Sequence, residues 1–145
     1  MEIVEIKEFS QPVLAAMNRL LPQLSSTARR MSAADLTAIV GADASHLYMA
    51  KEADDFPASL TLVIFDIPSG RRARIEDLVV DQHVRGKGIG RQLMAHALRA
   101  AQDLGAHSVD LVSNPSRTAA GALYLKMGFQ QKQTHVYRLF LPLQE

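Results

Sequence analysis

The spacing of apolar residues changes along the chain and separates strands from helices. Apolar and charged residues alternate over about 2–7, which predicts a strand. After Ser10 the apolar residues recur every three to four positions, which predicts a helix. Ser32, with Asp35 three residues later, has the pattern of a capping box. It predicts a second, short helix that ends at Gly41.

Three extended segments follow these two helices. They have the sequences HLYMAKE, SLTLVIFDI and RARIEDLVV, at 46–52, 59–67 and 72–80. The first two are separated by ADDFPA, and the last two by the turn PSG, both rich in residues that interrupt strands. Together the segments predict an antiparallel meander.

Beyond residue 80 helical and extended patterns alternate. Helices are predicted over 87–104, ended by Gly105, and over 116–127, ended by Gly128. The first of these helices carries one apolar face, made of Ile89, Leu93, Ala97, Ala101 and Leu104. HSVDLVS at 107–113 and THVYRLFL at 134–141 are predicted strands. The whole pattern predicts an α+β fold with a mixed central β-sheet flanked by about four helices.

Composition narrows the class of protein. The chain has 145 residues, of which 48% are hydrophobic and 21% charged, and this predicts one domain over 1–145 with its own core. A net charge of +1 argues against a nucleic-acid partner. The absence of cysteine excludes disulfides and a thiolate nucleophile and suits a cytoplasmic location. We expect neither a signal peptide nor a membrane partner, since no apolar run has the required length.

The histidines show no metal-ligand spacing, so no metal site is expected. Their positions are 46, 83, 96, 107 and 135. Whether His135 and Tyr137 line a substrate site is left open by the sequence.

The segment DQHVRGKGIGRQL, at 81–93, concentrates glycine and positive charge where a helix begins. The first turn of a helix exposes unpaired N–H groups with partial positive charge, and glycine lets an anion approach the backbone. The relevant residues are Arg85, Gly86, Lys87, Gly88, Ile89, Gly90 and Arg91. Their spacing matches neither G-x-x-x-x-G-K-[ST] nor G-x-G-x-x-G. The segment is therefore a phosphate site of another type or a plain helix entrance.

A second motif, SNPSRTAAGALYLKMGF, occupies 113–129. Asn114 or Ser116 is placed to cap the helix that follows. Tyr124 falls on the side of this helix that we expect to be buried. A capped amphipathic helix without a further function would have the same pattern.

The two motifs in this order, LVVDQHVRGKGIGRQL and then SNPSRTAAGALYLKMGF, resemble the GCN5-related N-acetyltransferase (GNAT) family. The resemblance covers about 71–140 and departs from the family mildly at Gln82 and Met127. It implies an enzyme that transfers an acetyl group from acetyl-CoA to a primary amine of a small molecule or protein. It also implies direct attack by the amine in a ternary complex.

The resemblance assigns residues to the coenzyme. Backbone N–H groups of 85–91 would hold the CoA pyrophosphate, and backbone groups of Leu78, Val79 and Val80 would pair with the pantetheine arm. Asn114 would face this arm, and Arg117 or Arg91 would reach the outer phosphate.

The chemistry requires a proton acceptor and a proton donor. Tyr124 stands where the family commonly has its tyrosine, and it is the expected general acid for the CoA thiolate. For the base, Glu76 is favoured, and Asp77 is second because a bulge on this strand would change which side chain enters the acceptor cleft. Strict alternation would place the two on opposite faces. A surface carboxylate paired with Arg72 or Arg74 is an equally weighted alternative for Glu76.

Other functions stay open at this point. A non-catalytic acyl-CoA-binding module would keep the glycine-rich turn, and the basic segments TARR and RRARIE would attract an acidic substrate or be merely solvated. The acceptor amine cannot be read from the sequence. Dimers are frequent in the family, and HVYRLFL is a candidate pairing edge for a homodimer.

Overall fold

The computed structural model describes residues 1–144, which fall into two compact units, Met1–Val112 and the segment from Ser113 onward. The first unit contains β1 (Glu2–Ile6), α1 (Gln11–Leu24), α2 (Ala33–Gly41), β2 (Ser45–Glu52), β3 (Asp55–Ile67), β4 (Gly70–Val80), a 3₁₀ turn (Gln82–Val84), α3 (Ile89–Asp103) and β5 (Val109–Asp110). The second unit contains α4 (Thr118–Lys126).

The strands form one sheet in the order β1-β2-β3-β4-β5. Neighbours from β1 to β4 pair antiparallel, whereas β4 and β5 pair parallel through Ala73↔Val109 and Arg74↔Asp110. The predicted α+β class, the meander and the mixed sheet are confirmed. Within 1–144 there are four α-helices, as expected.

Local hydrogen bonds begin the two early helices. The Ser10 hydroxyl accepts a hydrogen bond from the Val13 N–H at the start of α1. At α2 the Ser32 hydroxyl accepts from the Asp35 N–H at 3.1 Å, and the Asp35 carboxylate accepts from the Ser32 N–H at 2.9 Å. Each bond satisfies an N–H that lacks a helical partner. Both predicted helix starts are therefore confirmed.

The sheet is covered by helices on both faces within the first unit. On one face α1 and α2 pack over a buried cluster made of Val13, Ala16, Met17, Leu20, Leu36, Leu47, Met49, Phe56 and Val79. On the other face α3 contacts β2, β3 and β4. Four of the five residues of its predicted apolar face are buried, whereas Leu104 is 38% exposed because it lies at the C-cap, beyond the last helical turn.

Some predicted boundaries are wrong. β3 begins at Asp55, inside the expected connection, because the turn before it needs only two residues. The predicted strand 107–113 reduces to β5, since only two residues pair with β4. The predicted strand 134–141 is not a strand: within 1–144 it has no ladder partner, and its apolar side chains are largely exposed. An alternating pattern favours extended backbone, but a strand also requires a neighbouring strand with which its backbone can form hydrogen bonds.

No helix in residues 1–144 is long and apolar enough to cross a bilayer.

Candidate functional site

A bulge interrupts β4 at the two acidic residues. The pairing with β3 changes from Thr61↔Glu76 to Ser59↔Val79, so two residues of β4 stand opposite one residue of β3. Asp77 lies at the bulge with φ +52°, a left-handed conformation that Asp tolerates better than most residues. Directly paired residues share a face, so Glu76 and Val79 lie on the same face of the sheet. The strict alternation that would separate Glu76 from Asp77 therefore ends at this point.

The two carboxylates have different surroundings. Glu76 Oε1 lies 3.0 Å from Arg74 Nε, and both side chains are partly exposed, so Glu76 forms the surface pair with arginine that was the alternative to a role as base. Partial burial raises the pKa of the Asp77 carboxyl, and the charge of Glu76 raises it further. A raised pKa makes the Asp77 carboxylate a stronger base than an ordinary aspartate.

The edge of β4 beyond the bulge has no strand beside it within the first unit. The parallel pairing with β5 ends at Arg74↔Asp110, while β4 continues to Val80. Val79 points into the core under α1, whereas the side chains of Leu78 and Val80 are half-buried. An extended molecule can pair with backbone groups at such an edge. These are the groups predicted to bind the pantetheine arm.

The glycine-rich turn that follows has the geometry of an anion site. Gly86 and Gly88 adopt φ of +82° and +81°, which side chains with Cβ rarely adopt. Gly88 is the N-cap of α3, and no side chain in the described range 1–144 caps this helix. The first turn of α3 contains no acidic residue. The first N–H groups of α3 are consequently free of helical partners. Lys87 and Arg91 are exposed beside them.

Two further contacts shape this turn. A Cβ added to Gly90 would lie 3.5 Å from Val80 Cγ2, so glycine lets α3 start close to β4. Arg85 Nε donates a hydrogen bond to the Val80 carbonyl at 3.0 Å, which ties the turn to the end of the strand. The residues present therefore fit a phosphate-bearing ligand.

Sequence reasoning missed the ion pair that anchors the turn to α1. Asp81 is 7% exposed, its Oδ1 accepts from the His83 N–H, and its Oδ2 lies 3.1 Å from Arg19 Nε. Arg19 Nη2 also donates to Asp55 Oδ1 at 2.9 Å and to the Phe56 carbonyl at 3.2 Å. An aspartate before a 3₁₀ turn is a local capping signal, but nothing near Arg19 in the sequence indicates its partners.

We expect Asp81→Asn to lower the free energy of unfolding at pH 7 by about 2 kcal/mol, because it weakens a charge-assisted hydrogen bond at a buried position. The His83 backbone hydrogen bond, then the Arg19 guanidinium, hold the pKa of Asp81 below its ordinary value. A carboxyl with a lowered folded pKa stabilises the fold above its unfolded pKa of about 3.9, and this contribution disappears as pH falls through the folded value.

Urea unfolding from pH 7 down to about pH 3 measures this difference. The difference in the free energy of unfolding between wild type and Asp81→Asn should be constant above about pH 4 and should narrow as the pH falls below about 3.9. Asp54→Asn, an exposed aspartate in the β2–β3 turn, is the matched control and should leave the free energy of unfolding nearly unchanged at every pH. If the free energies of unfolding of Asp81→Asn and wild type differed by the same amount at every pH, the ionised carboxylate would be excluded as the cause of the destabilisation.

The start of the second unit differs from the prediction. Asn114 Oδ1 accepts hydrogen bonds from the Ser116 N–H and hydroxyl, both at 2.9 Å. α4 begins at Thr118 with Arg117 as its N-cap, and no side chain from the described part of the chain caps it. The expectation that Asn114 or Ser116 caps α4 is therefore wrong. Asn114 and Ser116 instead bond to each other and close the turn before the helix.

Tyr124 is half-buried on α4. Its ring meets that of Phe129 edge to face, with 6.0 Å between the centroids. Burial raises the pKa of the Tyr124 phenol, although the charge of Arg117 acts in the opposite direction. The phenol is protonated at neutral pH, which is the state that a proton donor needs.

The last two candidates, His135 and Tyr137, belong to the second unit. In the second unit, the rings of His135 and Tyr137 are 6.4 Å apart, and Tyr137 is 90% exposed. Among the described residues, no group of three or more His, Asp and Glu side chains is arranged to hold a metal ion.

Comparisons with known proteins identify the family and the fold. The sequence model described as "Acetyltransferase (GNAT) family" matches residues 14–129. Glucosamine 6-phosphate N-acetyltransferase 1 of Oryza sativa subsp. japonica is 30% identical over 141 residues, which cover 92% of this chain and 82% of the relative.

Solved structures share the fold at lower identity. An aminoglycoside acetyltransferase from an uncultured soil metagenomic sample, in complex with trehalose, has a TM-score of 0.84 at 17% identity, covering 97% of this chain and 96% of its own. An acetyltransferase of Trypanosoma brucei has a TM-score of 0.78 at 23% identity, covering 97% of this chain and 99% of its own.

Proposed function

Since this chain belongs to the GNAT family and is an acetyl-CoA-dependent N-acetyltransferase, we propose that its glycine-rich turn holds the CoA pyrophosphate and that the amine attacks the thioester directly in a ternary complex. One observation carries the proposal. The uncapped start of α3, with left-handed Gly86 and Gly88, directly follows an edge of β4 that no strand of the first unit covers.

The coenzyme would be held mainly by backbone groups. The N–H groups at the start of α3 face an anion favourably because of their unpaired hydrogens and the helix dipole. Arg85, Lys87 and Arg91 add positive charge, and Arg91 or Arg117 binds the outer phosphate. The pantetheine arm pairs with backbone groups of Leu78, Val79 and Val80, and the amide of Asn114 faces this arm.

Acetyl-CoA supplies an activated acetyl group, and three groups of the chain assist its transfer. A backbone N–H near Leu78 or Val79 stabilises the negative charge that develops on the thioester oxygen. Asp77 or Glu76 accepts the proton of the attacking ammonium, directly or through water. We favour Asp77, because its pKa is raised while Glu76 is paired with Arg74. Tyr124 donates a proton to the CoA thiolate.

The acceptor is a primary amine of a small molecule or protein. The rice relative is named for glucosamine 6-phosphate, and the soil neighbour for an aminoglycoside, so two acceptor classes of different charge are candidates. A non-catalytic acyl-CoA-binding module is the alternative, and it would bind the coenzyme without acetylating any amine in a panel of both classes.

A charge placed at the helix start tests the coenzyme site. Asp and Asn are nearly isosteric, both tolerate the left-handed conformation, and both are good N-caps, so Gly88→Asp and Gly88→Asn differ mainly in charge. Gly88→Asp should weaken CoA binding at least about tenfold more than Gly88→Asn, because its carboxylate opposes the pyrophosphate. Calorimetric titration with CoA measures both affinities.

Salt gives the control for this experiment. The difference between the two variants should shrink as ionic strength rises from about 0.05 to 0.5 M, since a repulsion between exposed charges is screened. Equal affinities at low salt would place the pyrophosphate away from Gly88. A wild type that does not bind CoA would contradict the proposed role of the whole turn.

The proposal also includes an oligomeric state and a cellular location. We propose a homodimer that uses the segment 134–141, where five apolar side chains are between 65% and 90% exposed. Exposure of this kind is typical of a surface that another chain covers. The cytoplasmic location expected from the cysteine-free composition stays a prediction.

A further inference from the structure

We infer that Arg74 binds an anionic group, a phosphate or a carboxylate, on the amine acceptor; this rests on the proposed acetyl transfer at the bulge of β4. Three arginines occur in this strand, at 71, 72 and 74. The register and the hydrogen bonds of the strand separate their roles.

Pairing with β3 places two of the arginines on the face of Glu76. The pairs Phe65↔Arg72, Val63↔Arg74 and Thr61↔Glu76 follow at every second position, so these side chains share one face. Arg71 lies on the opposite face. The face that leads to the bulge therefore carries two positive charges and one negative charge.

Only one of the three guanidinium groups is both directed toward the bulge and available. Arg71 is occupied: its Nε and Nη2 bind the Asp66 carboxylate at 2.8 and 3.2 Å, and its Nη1 donates to the Leu104 carbonyl. Arg72 Nη2 donates to Ser69 Oγ at 3.2 Å, in the turn away from the bulge.

Arg74 is held differently. Its Nε donates to Glu76 Oε1, on the side of the bulge, and within residues 1–144 neither of its Nη atoms has a hydrogen-bond partner. Its side chain is 41% exposed. Arg74 thus presents two free NH2 groups in one plane, and its Nε–Glu76 hydrogen bond orients that plane.

The position and chemistry of Arg74 select a class of acceptor. Arg74 precedes Asp77 by three residues, about 10 Å along a strand. The acceptor must reach from the Arg74 guanidinium to the Asp77 carboxylate, and the length of the Arg74 side chain shortens this distance. A planar guanidinium binds phosphate or carboxylate through two parallel hydrogen bonds. A polycationic amine would meet like charge on this face. An amine that also bears an oxyanion fits, and the relative named for glucosamine 6-phosphate is consistent with it.

Binding and turnover with matched acceptors test the inference. The acceptors are glucosamine 6-phosphate, 2-amino-2-deoxygluconate and glucosamine, which carries no anionic group. Each is titrated calorimetrically into enzyme saturated with CoA, because CoA cannot donate an acetyl group. Wild type should bind at least one of the two anionic amines about tenfold more tightly than glucosamine. The stronger of the two identifies the oxyanion as phosphate or carboxylate.

Arg74→Gln should reduce that preference to less than about threefold. In turnover it should raise the KM for the preferred anionic amine about tenfold while kcat and the KM for acetyl-CoA stay nearly constant. Arg74→Lys, which keeps the charge but not the fork, should restore part of the preference. Arg71→Gln is the matched control on the opposite face and should keep the full preference.

The outcomes separate this inference from the proposed function. Acetylation without an anion preference, or a preference that survives Arg74→Gln, overturns the role of Arg74 and leaves the acetyl-transfer proposal intact. Failure of both anionic amines to bind also overturns it. An Arg74-dependent preference in an enzyme that acetylates none of the three amines supports the anion site and contradicts the proposed reaction at the bulge.

Discussion

Tyr124→Phe should lower kcat for acetyl transfer by about 100-fold or more, the usual contribution of a positioned general acid. The substitution removes one hydroxyl and keeps the ring that packs against Phe129, so the fold should be preserved. The KM for acetyl-CoA should change little, because the phenol is proposed to act on the leaving thiolate rather than to bind the coenzyme. Rapid-quench kinetics of a single turnover measure the chemical step itself.

Tyr137→Phe is the matched control for this substitution. It removes the same hydroxyl from a side chain that is 90% exposed, and it should leave kcat unchanged. Burial raises the pKa of Tyr124, so the wild-type rate should not fall through loss of its proton until the pH exceeds about 10. Full single-turnover activity in Tyr124→Phe would show that another group, or water, protonates the thiolate.

Asp77→Asn should lower kcat/KM for the amine by about 100-fold at pH 7, because nearly all of an alkyl amine with a pKa near 10 is protonated there and needs a proton acceptor. The difference in kcat/KM between Asp77→Asn and wild type should shrink as pH approaches the pKa of the acceptor amine, since the free amine requires no base. Initial rates across pH 6 to about 10 with one acceptor measure this convergence.

Glu76→Gln is the matched comparison for Asp77→Asn. If Asp77 is the base, Glu76→Gln should mainly raise the KM for an anionic acceptor, because it releases Arg74 from its oriented position, and kcat should fall much less. The reverse pattern, with the larger and pH-dependent loss of rate in Glu76→Gln, would assign the base to Glu76.

Stability gives an independent check on Asp77. Its folded pKa is raised, so the ionised carboxylate opposes folding at neutral pH, and this penalty disappears as pH falls below the unfolded value near 3.9. Asp77→Asn should therefore maintain or increase the free energy of unfolding at pH 7 while it lowers activity. That combination is typical of a residue whose environment serves catalysis.

The order of elements was predictable because it depends on interactions between near neighbours. The capping bonds of Ser10 and Ser32 join residues three positions apart, and the buried face of α3 repeats at helical spacing. The same holds for the glycine-rich turn, whose left-handed residues are glycines. The segment 134–141 shows the limit of such reasoning, since its alternating pattern did not supply a partner strand.

Sequence by itself determined the α+β class, the meander, the helix starts and the residues that could meet an anion, since each depends on local spacing. Only the tertiary structure decided the bulge at Asp77, the edge of β4 beyond Arg74 that no strand of the first unit covers, and the ion pair between Arg19 and Asp81. These features join residues far apart in the chain, and they exist because particular strand edges and helix faces meet. Which arginines of β4 share the face of Glu76 follows from the same pairing, and the arginine on the opposite face is the one that Asp66 occupies.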